Sequence, residues 1–315
     1  MFDPKEFMDE MVPELRSTIK GKAIIACSGG VDSTVAAVMV NQAVGERLLT
    51  VYVDTGMMRK GETEAVDMML SRLKVNHKTV DASNEFFDAL KGAVDPERKR
   101  KIIGERFIRV FEREANHFHA EYLVQGTIAP DWIESGDATR DTIKSHHNVG
   151  GLPKDIQLKL VEPLRDLYKD EVRKLARHLG VEVSERQPFP GPALAIRIVG
   201  PVTREDADIV REACAIVEEE LERAAEQGKM VLPWQYFAVL LPVQSVGVHG
   251  DNRVYGKTIA IRAVQSIDGM SAAYSKVPHE VLELISVRIT NEMKRNVNRV
   301  VYDITNKPPA TIEWE

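Results

Sequence analysis

A strand-like segment that ends in a glycine pair and leads directly into a helix constrains this chain more than any other feature. Residues 22–27 are mostly apolar, residues 28–33 read Ser-Gly-Gly-Val-Asp-Ser, and residues 34–40 are apolar and helix-like. Glycine tolerates positive φ, so the N–H groups of such a loop and the start of the helix converge on one anion. The pattern predicts a phosphate site at the carboxyl end of a strand.

The other residues of this loop indicate which kind of phosphate it binds. Ser28 and Ser33 add hydroxyl donors, whereas the carboxylate of Asp32 would repel a bare phosphate. A Mg²⁺ ion between carboxylate and phosphate removes that conflict. We therefore expect Asp32 to be the metal-binding residue and the loop to hold a nucleotide with Mg²⁺. The alternative is an ordinary tight connection in which Ser or Asp caps the helix.

The loop lacks the G-x-x-x-x-G-K-[ST] pattern, and without its lysine the kinase and ATPase interpretations weaken. Residues 28–33 resemble instead the PP-loop of the ATP pyrophosphatases. That resemblance implies cleavage of ATP between the α- and β-phosphates and transfer of AMP to a substrate oxygen.

Strand-like and helix-like segments alternate through the first half of the chain. The strand-like segments lie at about 22–27, 47–54, 76–80 and 121–125, and the amphipathic segments at about 31–43, 61–73 and 97–118. This alternation predicts a mostly parallel sheet, and such sheets bind ligands at the carboxyl ends of their strands. Val53 ends the second strand and is predicted to receive adenine or ribose. Gly126, which follows the fourth strand, is also predicted to bind ATP.

A change in the pattern of secondary-structure elements near residue 187 predicts a domain boundary. Three prolines and a glycine fall within residues 186–192, where neither a helix nor a central strand can continue. Beyond them we expect a long helix capped by Thr203, strands near 235–249 and 257–265, a helix after Pro278 and a strand at 299–303. The predicted fold class is α/β: a parallel-sheet domain (residues 1–186) followed by a smaller α+β domain (residues 187–315).

Composition excludes several classes of protein. The 315 residues carry a formal net charge of −6, which argues against a nucleic acid partner. The two cysteines are far apart and fit a reducing compartment, so we expect a cytoplasmic protein. No apolar run is long enough to cross a membrane. The basic run at residues 97–101 is expected to be the solvated face of a helix.

Three further clusters carry candidate chemistry. Arg59 follows the second strand and is predicted to clamp a phosphate within reach of the loop, although an exposed cation at a helix start fits equally well. Asp131 and Glu134 follow the fourth strand and suit Mg²⁺ binding or positioning, with surface acids as the alternative. Lys144, His146 and His147 precede a Gly-Gly pair and predict a lid over pyrophosphate. A zinc site is disfavoured because no third ligand lies close.

The last residues contain two more candidates. Lys307 precedes Pro308, which holds it extended, and its amine could fix a phosphate. The carboxylate of Glu313 could accept hydrogen bonds from the ring N–H groups of a purine.

Seven motifs together resemble the synthetase portion of the GMP synthetase family over nearly the whole chain. In order, they are SGGVDS, VDTGMMRK, PDWIES, IKSHHNVGGLP, PFPGPALAIR, QSVGVHGDNRVYG and KPPATIEWE. The glycine loop is shared with other adenylylating enzymes, whereas the fourth and seventh motifs are specific to this family. Ala193 stands where family members commonly have glycine.

The resemblance implies a set of substrates and partners. These are ATP with Mg²⁺, xanthosine monophosphate (XMP) as nucleophile, an adenylylated XMP intermediate, and ammonia that converts it to GMP. Many family members carry an N-terminal glutaminase domain with a catalytic cysteine, but only 27 residues precede the loop here. We therefore expect a separate glutamine amidotransferase subunit, and a homodimer formed through the C-terminal domain.

The resemblance also implies a role for each matching residue. ATP would be bound by Ser28, Gly29, Gly30, Val31, Asp32, Ser33, Val53 and Gly126. XMP would be bound by Arg59, Asp251, Lys307, Ile312 and Glu313. The catalytic residues would be Asp131, Glu134, Lys144, His146 and His147.

Overall fold

A computed structural model describes residues 2–134, 158–182, 187–267 and 269–315 of the chain. The chain forms two compact units. The first comprises Met1–Thr55, Gly61–Ala82 and Gly104–Glu185, and the second comprises Gly56–Lys60, Ser83–Ile103 and Arg186–Glu315. Two short segments of the N-terminal half therefore belong to the second unit, in addition to the C-terminal residues that the proline-rich boundary marks off.

The first unit contains a five-stranded parallel sheet in the order β3-β2-β1-β4-β5. The strands are β1 (Ala23–Ala26), β2 (Leu48–Asp54), β3 (His77–Asp81), β4 (Tyr122–Val124) and β5 (Lys159–Val161). The α/β fold class is confirmed, and the four predicted strands are present. The fifth strand was not predicted, because two of its three residues are exposed and it lacks a continuous apolar pattern.

Seven helices begin in the N-terminal part of the chain among the described residues. They are α1 (Pro4–Thr18), α2 (Val31–Val44), α3 (Glu62–Arg72), α4 (Ser83–Leu90), α5 (Pro96–Phe118), α6 (Ala129–Glu134) and α7 (Lys169–His178). Nine of the 14 residues of α2 are buried, as expected of a helix that is apolar on all sides. It packs against both α1 and α7, so the helix that follows the glycine loop is fixed from two directions.

The order of the strands places the glycine loop where parallel sheets bind ligands. β1 lies at the centre, with β2 on one side and β4 on the other. The connections after β1 and after β4 therefore run to opposite sides, which opens a crevice at the carboxyl ends of the two strands. Residues 28–33 follow β1, and Gly126 follows β4 closely.

The second unit is built on a long antiparallel pair, β6 (Gln235–His249) and β7 (Asn252–Gln265). The short β8 (Ala273–Tyr274) pairs with β7 antiparallel, and β9 (Val297–Tyr302) pairs with it parallel. Helices α8 (Arg204–Glu226) and α9 (His279–Glu292) pack on this sheet and on each other. Thr203 caps α8 through the N–H of Asp206, and α9 begins directly after Pro278, as predicted. β7 starts five residues before the predicted start, because residues 252–256 pair with β6 in a largely exposed hairpin whose polar residues hid the strand.

The expectation that residues 97–101 form a solvated helix face is wrong for Lys99. This side chain is 0% exposed, and its ammonium donates to the carbonyl of Ile198 at 2.6 Å and pairs with the carboxylate of Glu315. Burial lowers the pKa of Lys99, and the hydrogen bond to Glu315 opposes that shift. Its helical position alone gave no sign that a carboxylate 216 residues away would pair with it.

No helix in the part of the chain that the structure describes is both long enough and apolar enough to span a membrane.

Candidate active site

Two glycines set the path of the loop between β1 and α2. Gly29 has a φ of +79°, and a Cβ atom at this position would lie 2.7 Å from the Cγ2 of Val66. Both the conformation and the space therefore require glycine. Gly30 is the N-cap of α2 and supplies no side-chain acceptor to the helix. Among the described residues no side chain caps the first turn of α2, and the N–H groups of such an uncapped helix start are suited to bind phosphate.

The hydroxyls of Ser28 and Ser33 hold the loop in shape. The Ser33 hydroxyl accepts a hydrogen bond from the N–H of Ser28 at 3.3 Å. It donates one to the carbonyl of Gly30 at 3.1 Å. The Ser28 hydroxyl accepts from the N–H of Gly30 at 3.3 Å and lies 3.3 Å from the Ser33 hydroxyl. These contacts organise the loop, and the donation of either hydroxyl to phosphate remains a prediction.

Asp32 lies in the first turn of α2. Its Oδ1 atom is buried without a hydrogen-bond partner among the described residues. Burial raises the pKa of Asp32, and the nearby charge of Asp131 adds to that rise, whereas Lys169 and Arg173 oppose it. A buried carboxylate oxygen with no donor is a position that a cation satisfies.

The residues around Asp32 fit Mg²⁺ better than a metal held by protein ligands alone. The described residues contain no group of three His, Cys, Asp or Glu side chains close enough to form such a site. Mg²⁺ is usually held by one or two carboxylates together with substrate phosphates and water. Asp32, beside a loop with free N–H groups, matches that arrangement.

Gly126 allows the end of β4 to lie directly against the glycine loop. A Cβ atom at Gly126 would be 3.0 Å from the carbonyl carbon of Asp32 and 3.1 Å from the backbone nitrogen of Ser33. Val53, near the end of β2, has its side chain in the core and is 4% exposed. Its contact with adenine or ribose remains a prediction.

Helix α7 brings two basic residues to Asp32 that the sequence analysis missed. Lys169 and Arg173 lie one turn apart, both are exposed, and both act electrostatically on Asp32. The sequence did contain a signal for this helix. Asp170 and Glu171 occupy its first turn, and Arg177 and His178 its last, which is the charge order that favours a helix.

The predicted catalytic residues are only partly described. Asp131 is exposed in the first turn of α6, where its carboxylate accepts from the N–H of Ile128 at 3.0 Å. Glu134 is the last residue of that helix. Lys144, His146 and His147 lie outside the described residues.

In the second unit, Arg59 is held by several neighbours. Its guanidinium donates to the carbonyl of Gln187 at 3.1 Å, lies 3.6 Å from the carboxylate of Glu218 and stacks 4.3 Å above the ring centroid of Phe189. The side chain is 11% exposed. These three partners all belong to the second unit, and the predicted phosphate contact remains a prediction.

Four more residues predicted to bind XMP lie in the second unit. Asp251 is exposed in the turn between β6 and β7. The amine of Lys307 donates to the carbonyl of Gly269 at 2.8 Å, and the carbonyl of Ile312 accepts from Arg262 at 3.3 Å. The two carboxylate oxygens of Glu313 accept from Arg197 at 2.9 and 3.1 Å.

Two family models match different parts of the chain. The family model of the GMP synthase C terminal domain matches residues 219–314, and that of the queuosine biosynthesis protein QueC matches residues 22–187, which carry the glycine loop. An NH3-dependent NAD synthetase from Campylobacter jejuni has a TM-score of 0.46 over 57% of this chain and 75% of its own, with 15% identity.

Relatives with much higher identity cover the whole chain. One of the subunits of GMP synthase [glutamine-hydrolyzing] from Thermoplasma acidophilum is 57% identical over 98% of both chains. The corresponding subunit from Pyrococcus horikoshii is 59% identical, again over 98% of both. GMP synthase [glutamine-hydrolyzing] from Clostridium tetani is 54% identical over 98% of this chain and 61% of its own length. With this identity across both units, the chain belongs to the GMP synthase [glutamine-hydrolyzing] family, among the members that are one subunit of that enzyme.

Proposed function

We propose that this enzyme is a ligase that aminates XMP to GMP at the expense of ATP, with an adenylylated XMP as intermediate. The observation that carries the proposal is the glycine loop with the buried oxygen of Asp32, which has no hydrogen-bond partner among the described residues, in a chain that matches GMP synthase subunits from end to end. Ammonia would come from a separate glutamine amidotransferase subunit, because these relatives are single subunits of a glutamine-hydrolyzing enzyme.

The proposed reaction overcomes a poor leaving group. The oxygen on carbon 2 of xanthine cannot be displaced by ammonia directly. As the xanthine ring loses its N3 proton to solvent, this oxygen attacks the α-phosphorus of ATP. The bond between that phosphorus and the bridging oxygen breaks, and pyrophosphate leaves. Ammonia then adds at carbon 2, loses a proton, and AMP departs with the former xanthine oxygen. No covalent bond to the enzyme is needed at any step.

The residues of the first unit would stabilise the charge of the triphosphate. The N–H groups at the start of α2 would bind a phosphate of ATP. Lys169 and Arg173 would add the positive charge that the lysine of the G-x-x-x-x-G-K-[ST] pattern supplies in other enzymes. Mg²⁺ bound by Asp32 would neutralise phosphate charge further. Asp131, Glu134, Lys144, His146 and His147 are proposed to close over the reacting groups and exclude water.

The residues of the second unit would select XMP. Arg59 and Lys307 carry positive charge for its phosphate, and Glu313 and the backbone of Ile312 would read its base. Asp251 completes the set that the family resemblance implies. We propose that this selection distinguishes the enzyme from other proteins with the same glycine loop, including the QueC type.

The second unit also offers a surface for a second copy of the chain. Val246, Val248 and Tyr255 are 48, 70 and 74% exposed, and Val246 pairs directly with Tyr255 across the hairpin. These side chains lie on one face, because residues two apart and residues directly opposite share a face of a ribbon. Covering this apolar face is a physical reason for the homodimer.

The test is to incubate the purified chain with ATP, Mg²⁺ and XMP, with either ammonium or glutamine as nitrogen donor. We expect GMP, AMP and pyrophosphate in equal amounts with ammonium and no GMP with glutamine. Absence of GMP with ammonium would refute the synthetase assignment, whereas GMP from glutamine would refute the need for a partner. A tRNA-modifying enzyme or a regulatory nucleotide-binding protein would give no XMP-dependent AMP.

A further inference from the structure

Among the described residues of the second unit, three basic side chains are 0% exposed: Lys99, Arg197 and Arg262. Each directs its charged group at residues 303–315, which we call the C-terminal segment. Lys99 pairs with Glu315, Arg197 with Glu313, and Arg262 with Asp303. Burying a charge is unfavourable unless it is paired and hydrogen-bonded. Three such residues pair with one segment of 13 residues. We infer that they fix the conformation of this segment.

Arg262 makes the most extensive set of these contacts. It lies within β7, between Ile261 and Ala263, and its guanidinium donates to the carbonyls of Thr305, of Thr311 at 2.9 Å and of Ile312 at 3.3 Å. The same guanidinium lies 3.2 Å from the carboxylate of Asp303. All three hydrogen-bond acceptors are backbone atoms, so these contacts fix the path of the chain and do not select particular side chains.

The three carbonyls come from both ends of one loop. Thr305 precedes the loop that contains Lys307, and Thr311 and Ile312 close it. One planar guanidinium therefore ties the two ends together, which lysine cannot do because its ammonium lacks the fork of donors in one plane. The charge of Arg262 is balanced by Asp303, which also accepts from the indole N–H of Trp314 at 3.1 Å. Arg262 is thus engaged by the protein itself and is not left to bind a ligand.

Arg197 continues this arrangement one residue beyond the loop. Its guanidinium contacts both carboxylate oxygens of Glu313, and Gln235 donates to one of them at 2.9 Å. The orientation of the Glu313 carboxylate is therefore set from the core of the second unit.

We propose that Arg262 is a positioning residue for XMP: by closing the loop between Thr305 and Ile312, it holds Lys307, Ile312 and Glu313 in the arrangement that binds this nucleotide. This inference rests on the proposed function and extends it to a residue that makes no contact with substrate. In this proposal Lys307, Ile312 and Glu313 bind XMP, and the buried guanidinium of Arg262 holds them in place.

The experiment replaces Arg262 and measures the two substrates separately. We expect Arg262→Lys, which keeps the charge but loses the fork, to raise the KM for XMP about tenfold, equivalent to about 1.4 kcal/mol, while the KM for ATP is unchanged. Arg262→Gln should raise it further. The matched control is Arg295→Lys in the same unit, an exposed arginine that should leave both constants unchanged.

A second readout distinguishes positioning from general support of the fold. Hydrogen–deuterium exchange in Arg262→Lys should speed up in residues 303–315 and stay as in the wild type in β6 and α8, and XMP should restore protection of the segment. Faster exchange throughout the second unit, or KM values for XMP and ATP that rise together, would overturn the positioning role.

A further variant keeps the inference testable if Arg262→Lys does not fold. Asp303→Asn retains Arg262 and its three carbonyl contacts but removes the balancing charge, and should raise the KM for XMP about threefold with the KM for ATP unchanged. An unchanged KM for XMP would overturn the proposal. If the wild-type chain itself makes no GMP from XMP and ammonium, the proposed function fails. If the wild-type chain makes GMP but Arg262→Lys has an unchanged KM for XMP, only the positioning role is refuted.

Discussion

At the scale of single residues, Asp32 is a group whose burial is unfavourable for the fold and which we predict to bind the metal. Its buried Oδ1 atom has no donor among the described residues, and burial raises its pKa. The folded chain therefore retains the Asp32 proton at pH values where the unfolded chain has lost it. In this window, which begins near the usual pKa of aspartate, the stability of the protein falls as pH rises.

Replacing Asp32 should consequently separate stability from activity. We expect Asp32→Asn, assayed without nucleotide at pH 7, to melt at the wild-type temperature or about 2 °C higher, because the cost of a buried charge is removed. AMP formation with XMP and ammonium should fall at least about a hundredfold. Differential scanning calorimetry and an AMP assay provide the two measurements, and a lower melting temperature would contradict this account of Asp32.

The close approach of Gly126 to the glycine loop leads to a testable prediction. Gly126→Ala would place Cβ 3.0 Å from the carbonyl carbon of Asp32, so the glycine loop or β4 must shift. We expect the KM for ATP to rise about tenfold and the KM for XMP to stay the same in steady-state assays with ammonium.

The control is Gly104→Ala in α5, where nothing lies within 4 Å of the added carbon. This change should stabilise the helix by up to about 1 kcal/mol without altering either constant. Equal effects of the two glycine substitutions on the KM for ATP would show that the contact with the loop is irrelevant.

At the scale of elements, α7 is the one whose role the sequence did not reveal. The apolar positions Val172, Leu175 and Ala176 bury one face, and the remaining residues are nearly all charged, so the helix looks like an ordinary surface element. Because α7 packs against α2, Lys169 and Arg173 lie close enough to Asp32 to oppose the rise of its pKa. The position of those two cations is a property of the packed pair of helices.

This placement predicts the effect of neutralising the exposed end of α7. We expect Lys169→Gln combined with Arg173→Gln to slow single-turnover release of pyrophosphate about 10- to 100-fold, and to raise the pKa of Asp32 further because two opposing cations are lost. Lys174→Gln combined with Arg177→Gln on the same helix is the control and should change the rate little. Equal slowing in both double variants would contradict a specific role.

At the scale of the whole molecule, the hairpin of β6 and β7 extends an apolar face that the described residues of the same chain do not cover. We expect the wild-type protein to sediment as a dimer at micromolar concentration. Val248→Asp should shift it toward monomer, because a charge at the centre of an apolar contact must be desolvated. Val231→Asp, at a site that is 81% exposed outside the hairpin, is the control. A wild-type monomer would refute the proposed contact.

The sequence alone predicted a large part of this protein. The glycine loop, the alternation of strands and helices, the cap at Thr203 and the helix after Pro278 depend on local patterns, which neighbouring residues specify almost completely. The motifs likewise identified the family. Lys144, His146 and His147 remain predictions from sequence, since they lie outside the described residues.

Only the tertiary structure decided which charged residues are buried and what they hold. Lys99 lies in a basic run typical of a solvated helix face, and Arg262 interrupts an apolar strand, yet both are 0% exposed. The carboxylates that pair with both side chains, and the carbonyls that accept from Arg262, belong to the C-terminal segment, far away along the chain. A local pattern determines what a segment becomes, whereas the burial of a charge depends on partners that only folding brings together.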